Sequence, residues 1–248
     1  MPRNQDVPVA ALRPVPLERI PAHLEVLDRL NDEVLAGRLA AGDRLPPERQ
    51  LAQMLNVSRT SLREGLAVLE AVGIVRSRTG SGPLAGTFVQ SEPADAMNVI
   101  MSLQVGLQYF GLDEVIEFRR SVENLAVVKL AGDETTDQTF ARALELVSES
   151  QTVADAREFA RLDMEFHLEL VKVSGNRFAA HVVQTCRGLL ESRMLEGFGE
   201  LGEWDAARSL FVAQHREILD AVRSGDPARA SAALLAHVTG PKGFPTAR

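Results

Sequence analysis

Hydrophobic positions recur at helical spacing through most of the chain. Leu24, Leu27, Asn31 and Val34 predict a first helix over 20–36, with Gly37 placed to end it. Pro47 suits the first turn of a second helix over 48–55. Asn56-Val57-Ser58 is a tight connection, and Ser58 is a natural N-cap for a third helix over 59–72 that stops at Gly73. In that helix Leu62, Leu66 and Leu69 fall on one face. Two short strands follow, over 74–78 and 87–89, flanking the glycine-rich run TGSGPLAG. From about 99 to 238 every pattern is helical. The segments are 96–108, 112–131, 136–150, 155–173, 177–196, 204–224 and 227–238. Ser174-Gly175-Asn176 and Gly225-Asp226-Pro227 supply clear breaks.

Helix, helix, tight turn, helix and β-hairpin is the order of a winged helix-turn-helix. The predicted fold class is therefore mainly α: an N-terminal winged helix-turn-helix with a hairpin wing, then an antiparallel all-α bundle. The expected organisation is an N-terminal tail over 1–17, the winged helix-turn-helix domain over 18–91, a linker over 92–98, an all-helical domain over 99–240, and a C-terminal tail over 241–248.

The formal net charge is −7, which by itself argues against nucleic acid. Its distribution changes that. Residues 1–92 hold 11 Arg and 11 acidic residues, and the remainder holds the whole excess of negative charge. Every basic residue before position 92 is Arg, the side chain suited to bidentate phosphate and guanine contacts. No apolar run approaches a membrane span, the first twenty residues lack the apolar block of a secretory signal, and the one cysteine is Cys186. Cytoplasmic location, without membrane association, is the expectation.

A recognition helix presents short or forked polar side chains from its first turns to the major groove. Arg59, Thr60, Ser61 and Arg63 are placed for that, and Arg49 on the preceding helix can reach a phosphate or base edge. The glycines over 80–86 let the wing backbone approach phosphates. An amphipathic helical hairpin with solvated arginines is the alternative on spacing alone. The residues Gly42-Asp43-Arg44-Leu45-Pro46, Glu48-Arg49, Val57-Ser58-Arg59-Thr60, Arg63-Glu64, Leu69-Glu70, Gly73 and Gly86-Thr87-Phe88-Val89 closely resemble the N-terminal domain of the GntR family of bacterial regulators. That resemblance implies DNA contacts by Arg49, Arg59, Thr60, Ser61, Arg63 and the wing at Gly86. The insertion Pro83-Leu84-Ala85 departs from the compact family wing.

The helical half carries polar residues at inward positions. Asp163 and His167 sit one turn apart beside the stripe Phe159, Leu162, Phe166, Leu170 and Val173. His215 falls within the stripe of Phe211, Ile218 and Val222, and His237 within that of Ala230, Ala233 and Leu234. Each histidine alone reads as a hydrogen-bonded core residue. Four such groups together form a good site for a divalent transition metal. Arg119 also lies on an inward stripe, whereas Arg120 is about 100° round the helix and is expected to face elsewhere. An inward Arg119 suits either a ligand carboxylate or a pair with Glu123 one turn on.

Glu117-Phe118-Arg119-Arg120-Ser121-Val122-Glu123, the Asp163-x3-His167 pair, Ser174-Gly175-Asn176 and the His215/His237 spacing resemble the metal-binding version of the FadR subfamily ligand domain, the FCD domain. The resemblance implies Zn²⁺ or Ni²⁺ held by Asp163, His167, His215 and His237. It also implies a small organic acid that completes the metal's coordination and meets Arg119. The expected function is a transcription regulator, most commonly a repressor in this family, acting as a homodimer on a palindromic double-stranded operator. The alternatives are a metal-dependent hydrolase and a purely structural metal. The hydrolase is weakened because there is no HExxH motif and Glu165 and Glu169 alternate outward.

Overall fold

The computed structural model describes residues 21–80, 82, 85–91, 96–200 and 204–238. The two tails expected over 1–17 and 241–248, the start of the linker and the inserted Pro83-Leu84 of the wing lie outside these residues. The chain divides into two compact units, residues 1–94 and 95–248.

In the first unit, α1 (Ala22–Leu35), α2 (Glu48–Met54) and α3 (Arg59–Ala71) precede an antiparallel hairpin of β1 (Val75–Arg78) and β2 (Gly86–Val89). Ser58 caps α3 as its sequence position suggests: its hydroxyl accepts the Ser61 backbone N–H at 3.0 Å. The core joins Val26, Leu30, Leu45, Leu51, Leu62, Leu66 and Val75. This corrects the first helix's expected stripe. Val26 and Leu30 are buried, while Leu24 and Val34 are exposed. The cause is Gly65 on α3, which lets α1 approach so closely that an added Cβ would lie 2.7 Å from Val26 Cγ1. At the base of the wing, Gly86 takes φ +133° beneath the Arg44 guanidinium, so a side chain there would be both strained and blocked.

The second unit is all helical: α4 (Ala96–Gly106), α5 (Leu112–Gly132), α6 (Ala141–Thr152), α7 (Ala156–Val173), α8 (Arg177–Thr185), α9 (Arg187–Glu200), α10 (Trp204–Arg223) and α11 (Pro227–Val238). A 3₁₀ turn, Asp137–Phe140, opens the segment expected to be helical from 136, and it buries Phe140. The single helix expected over 177–196 is instead two. Thr185 turns its hydroxyl back onto the His181 carbonyl, and the Cys186 N–H tightens onto Val183, which breaks the α-helical ladder. Helix α7 is the centre of the bundle. It buries Phe159, Leu162, Phe166 and Leu170 against aromatic and aliphatic side chains of α6, α9 and α10. Among the described residues, no helix is long and apolar enough to cross a membrane.

An exposed helical Gly→Ala change normally stabilises by about 1 kcal/mol. Gly65→Ala should reverse that sign and lower the stability of the first unit by ~1–3 kcal/mol, because Val26 is fully buried and must move. Thermal unfolding of the full chain checks this; a rise in the first unit's midpoint contradicts it.

Candidate functional site

Helical spacing puts Asp163 and His167 on the same inner face of α7, one turn apart, both almost fully buried. His215 comes from the middle of α10 and His237 from the last turn of α11, and both are buried. One ligand-type atom from each of the four lies within 4.8 Å of all the others. The imidazoles are fixed by packing: His215 stacks on Phe166 at 4.1 Å between centroids, and Phe211 meets His237 edge-on.

The partners at each Nδ1 decide what the Nε2 atoms offer. His167 Nδ1 faces Glu123 Oε2 at 2.9 Å, and His237 Nδ1 faces Gln214 Oε1 at 3.0 Å. Both facing atoms are acceptors, which favours the proton on Nδ1 and a lone pair on Nε2 in each ring, with the His167–Glu123 contact close but not aligned as a hydrogen bond. Yet these Nε2 atoms are 2.9 Å apart, and His215 Nε2 is 3.1 Å from that of His237. In that tautomer the Nε2 lone pairs of His167 and His237 repel at this distance unless a cation lies between them. Asp163 Oδ1 is 3.0 Å from His215 Nε2, is buried, and has no aligned hydrogen-bond donor. The four residues therefore fit a divalent metal in donor chemistry and in outer support: a metal-bound His typically gives its other N–H to a carboxylate or amide.

Electrostatics keep these groups in their ligating forms. Burial pushes the three imidazoles down from the usual histidine range, so they stay neutral. Burial pushes Asp163 up, but His215 and His237 beside it outweigh that and hold it well below the usual carboxylate range. Burial likewise opposes ionisation of Glu123, and the Arg119 guanidinium and His167 together bring it to about 2.

Glu123 is the functional residue that sequence reasoning undervalued. It is 1% exposed, with one oxygen on Arg119 Nε and the other on His167 Nδ1. Its place one turn after Arg119 on the inward stripe was the available signal. Gln214 carried none beyond adjacency to His215. Of the two readings open for Arg119, the structure displays the pair with Glu123. Arg119 still lines a small cavity beside the cluster, with Ile116, Asp163, His167, Met194, Phe211, His237 and Val238. Its volume is about 60 Å³, room for a few water-sized groups. Arg120 lines the same cavity, which corrects its expected outward placement. The expectation took only the angle on the helix, and a long arginine stem reaches across that angle.

In the first unit, Arg49, Arg59 and Thr60 are exposed at the starts of α2 and α3. Arg63 is exposed too, with Nε 2.7 Å from Glu48 Oε2. Ser61 is half-buried, and its hydroxyl lies 2.8 Å from that of Ser58. Arg44 and Arg78 lie over the Phe88 ring of the wing.

A winged helix-turn-helix followed by a helical bundle with a buried Asp/His₃ cluster is the architecture of a DNA-binding regulator. Comparison with known proteins gives the family. The model described as "Bacterial regulatory proteins, gntR family" matches residues 22–84, and that described as "FCD domain" matches residues 114–240. The chain is 32% identical to the HTH-type transcriptional repressor NanR of Salmonella schwarzengrund (strain CVM19633) over 237 residues, covering 92% of this chain and 86% of that one. It is 28% identical to the HTH-type transcriptional regulator LutR of Bacillus subtilis (strain 168) over 206 residues, 82% and 91% of the two chains. The fold matches that of a solved "Streptococcus agalactiae GntR" with a TM-score of 0.60, at 24% identity over 88% of this chain and 97% of that one. This protein belongs to the gntR family of bacterial regulators and carries an FCD domain; it is a DNA-binding transcriptional regulator, not an enzyme.

Glu123→Gln keeps an acceptor for His167 but removes its charge. Metal affinity should fall by about 10–100-fold, read by competition with a chelator on protein whose circular dichroism is unchanged. Equal affinity contradicts the supporting role given to Glu123.

Proposed function

We propose that this regulator senses a small organic acid through a divalent metal held by Asp163, His167, His215 and His237, and that this binding sets its affinity for a palindromic operator. The convergence of one carboxylate and three imidazole donor atoms in a buried site carries the reading, since a bound cation would remove the repulsion between the Nε2 atoms of His167 and His237. An Asp/His₃ donor set suits Zn²⁺ and Ni²⁺ alike. An ion with more than four coordination positions keeps room for the acid. The cavity beside the cluster, with Arg119 and Arg120 in its wall, supports entry of an anion there.

On the DNA side, Arg59, Thr60, Ser61 and Arg63 enter the major groove, Arg49 meets the backbone, and the wing approaches it at Gly86. Arg63 exchanges Glu48 for DNA on binding, since the exposed pair contributes little in water. A homodimer presents one recognition helix to each half-site. The acid must bind one arrangement of the dimer better than the other; a coupling of ~1–3 kcal/mol changes operator affinity ~5–150-fold. Repression relieved by the acid is consistent with the repressor names of the relatives.

Arg59→Ala and Arg63→Ala should each weaken operator binding by roughly 1–3 kcal/mol in an anisotropy titration, with unchanged thermal stability. Unaltered affinity rejects the groove assignment. On the sensing side, organic acids should raise the melting temperature of metal-loaded wild type but not of His215→Ala. A metal-replete wild type that no acid stabilises would mark the metal as structural.

A further inference from the structure

The two arginines in the cavity wall are not equivalent. Arg119 is 11% exposed in its side chain and is bound to Glu123. One Glu123 oxygen is on Arg119 and the other lies 2.9 Å from His167 Nδ1, so Glu123 is directed to these two side chains. Among the described residues Arg120 has no carboxylate within ion-pair distance, although it is half-buried and lines the cavity with Asp163, His167 and His237.

Among the described residues that line the cavity the charges do not balance. Glu123 offsets Arg119, and Asp163 would offset one charge of a divalent ion held in the cluster. The ion's second charge and Arg120 would remain, a surplus of two positive charges. A monocarboxylate would neutralise half of it. The surplus has two separate seats, one at the Asp/His₃ cluster and one on α5. A ligand with two separated anionic groups meets both.

We propose that Arg120 is a specificity-determining residue that receives the second acidic group of the effector, and that the effector is a small dicarboxylate with one end on the metal. The proposal rests on the metal-based sensing reading above and narrows its ligand class. The cavity is small, about 60 Å³, which suits a short chain. Arg119, neutralised by Glu123, positions His167 rather than capturing the acid.

The test uses the full-length protein loaded with Ni²⁺ or Zn²⁺ and titrated calorimetrically with matched pairs. The dicarboxylates are malate, 2-hydroxyglutarate and 2-hydroxyadipate. Their partners are 2-hydroxybutyrate, 2-hydroxyvalerate and 2-hydroxyhexanoate, which keep the chelating head and lack the second acid. At least one dicarboxylate should bind about tenfold or more tighter than its partner, the scale of one charge-assisted contact. Arg120→Gln should remove that preference with metal content as in wild type, and Arg120→Lys should restore part of it. No preference in wild type, or a preference that survives in Arg120→Gln, overturns the proposal. If the monoacids still bind in a metal-dependent way, the sensing reading stands without it. If neither acid of any pair binds the metal-loaded protein, both fall.

Discussion

Three imidazoles from three helices converge on one carboxylate inside an apolar bundle, and the rest of the second unit is arranged around that constraint. Burying Asp163, His167, His215 and His237 costs several kcal/mol unless each finds a partner. Hydrogen bonds alone do not provide them: the outer nitrogens of His167 and His237 face acceptors, which leaves the inner nitrogens with lone pairs directed at each other. A cation held there would resolve the conflict and would tie α7, α10 and α11 together at one point, where α5 adds Glu123 from outside the cluster.

The family's two modules divide the physics. The first unit displays arginines on short helices over a small aliphatic core, with Gly65 allowing α1 and α3 to approach. Its formal neutrality leaves specific contacts, rather than bulk attraction, to carry recognition. The second unit buries its polar groups instead of displaying them. The electrostatic chain Arg119–Glu123–His167 reaches from the cavity wall to the cluster, so a charge arriving beside the cluster is felt by a side chain that orients one of its histidines.

Much of this was legible in the sequence, and the misses have physical causes. The four cluster residues could be read because helical periodicity placed polar types within apolar stripes, and periodicity is a local property. The N-cap at Ser58 was legible for the same reason. Relationships between elements were not. The buried face of α1 is set by a glycine on another helix, so Leu24 and Val34 looked inward and are exposed. The break at Cys186 depends on a threonine hydroxyl turning back onto its own helix. Arg120 looked outward because helix angle ignores the reach of its side chain, and Glu123 looked like half of a simple pair because His167 lies on a different helix.

The central claim is that the buried cluster holds a metal ion. Elemental analysis of the full chain, purified without chelators, together with X-ray absorption at the edge of whatever metal is found, measures this directly. The account predicts one divalent ion per chain in a first shell of nitrogen and oxygen with about three imidazoles, and its loss in a protein carrying Asp163→Ala and His237→Ala. A wild type without stoichiometric metal, or a double variant that retains it, would contradict the account.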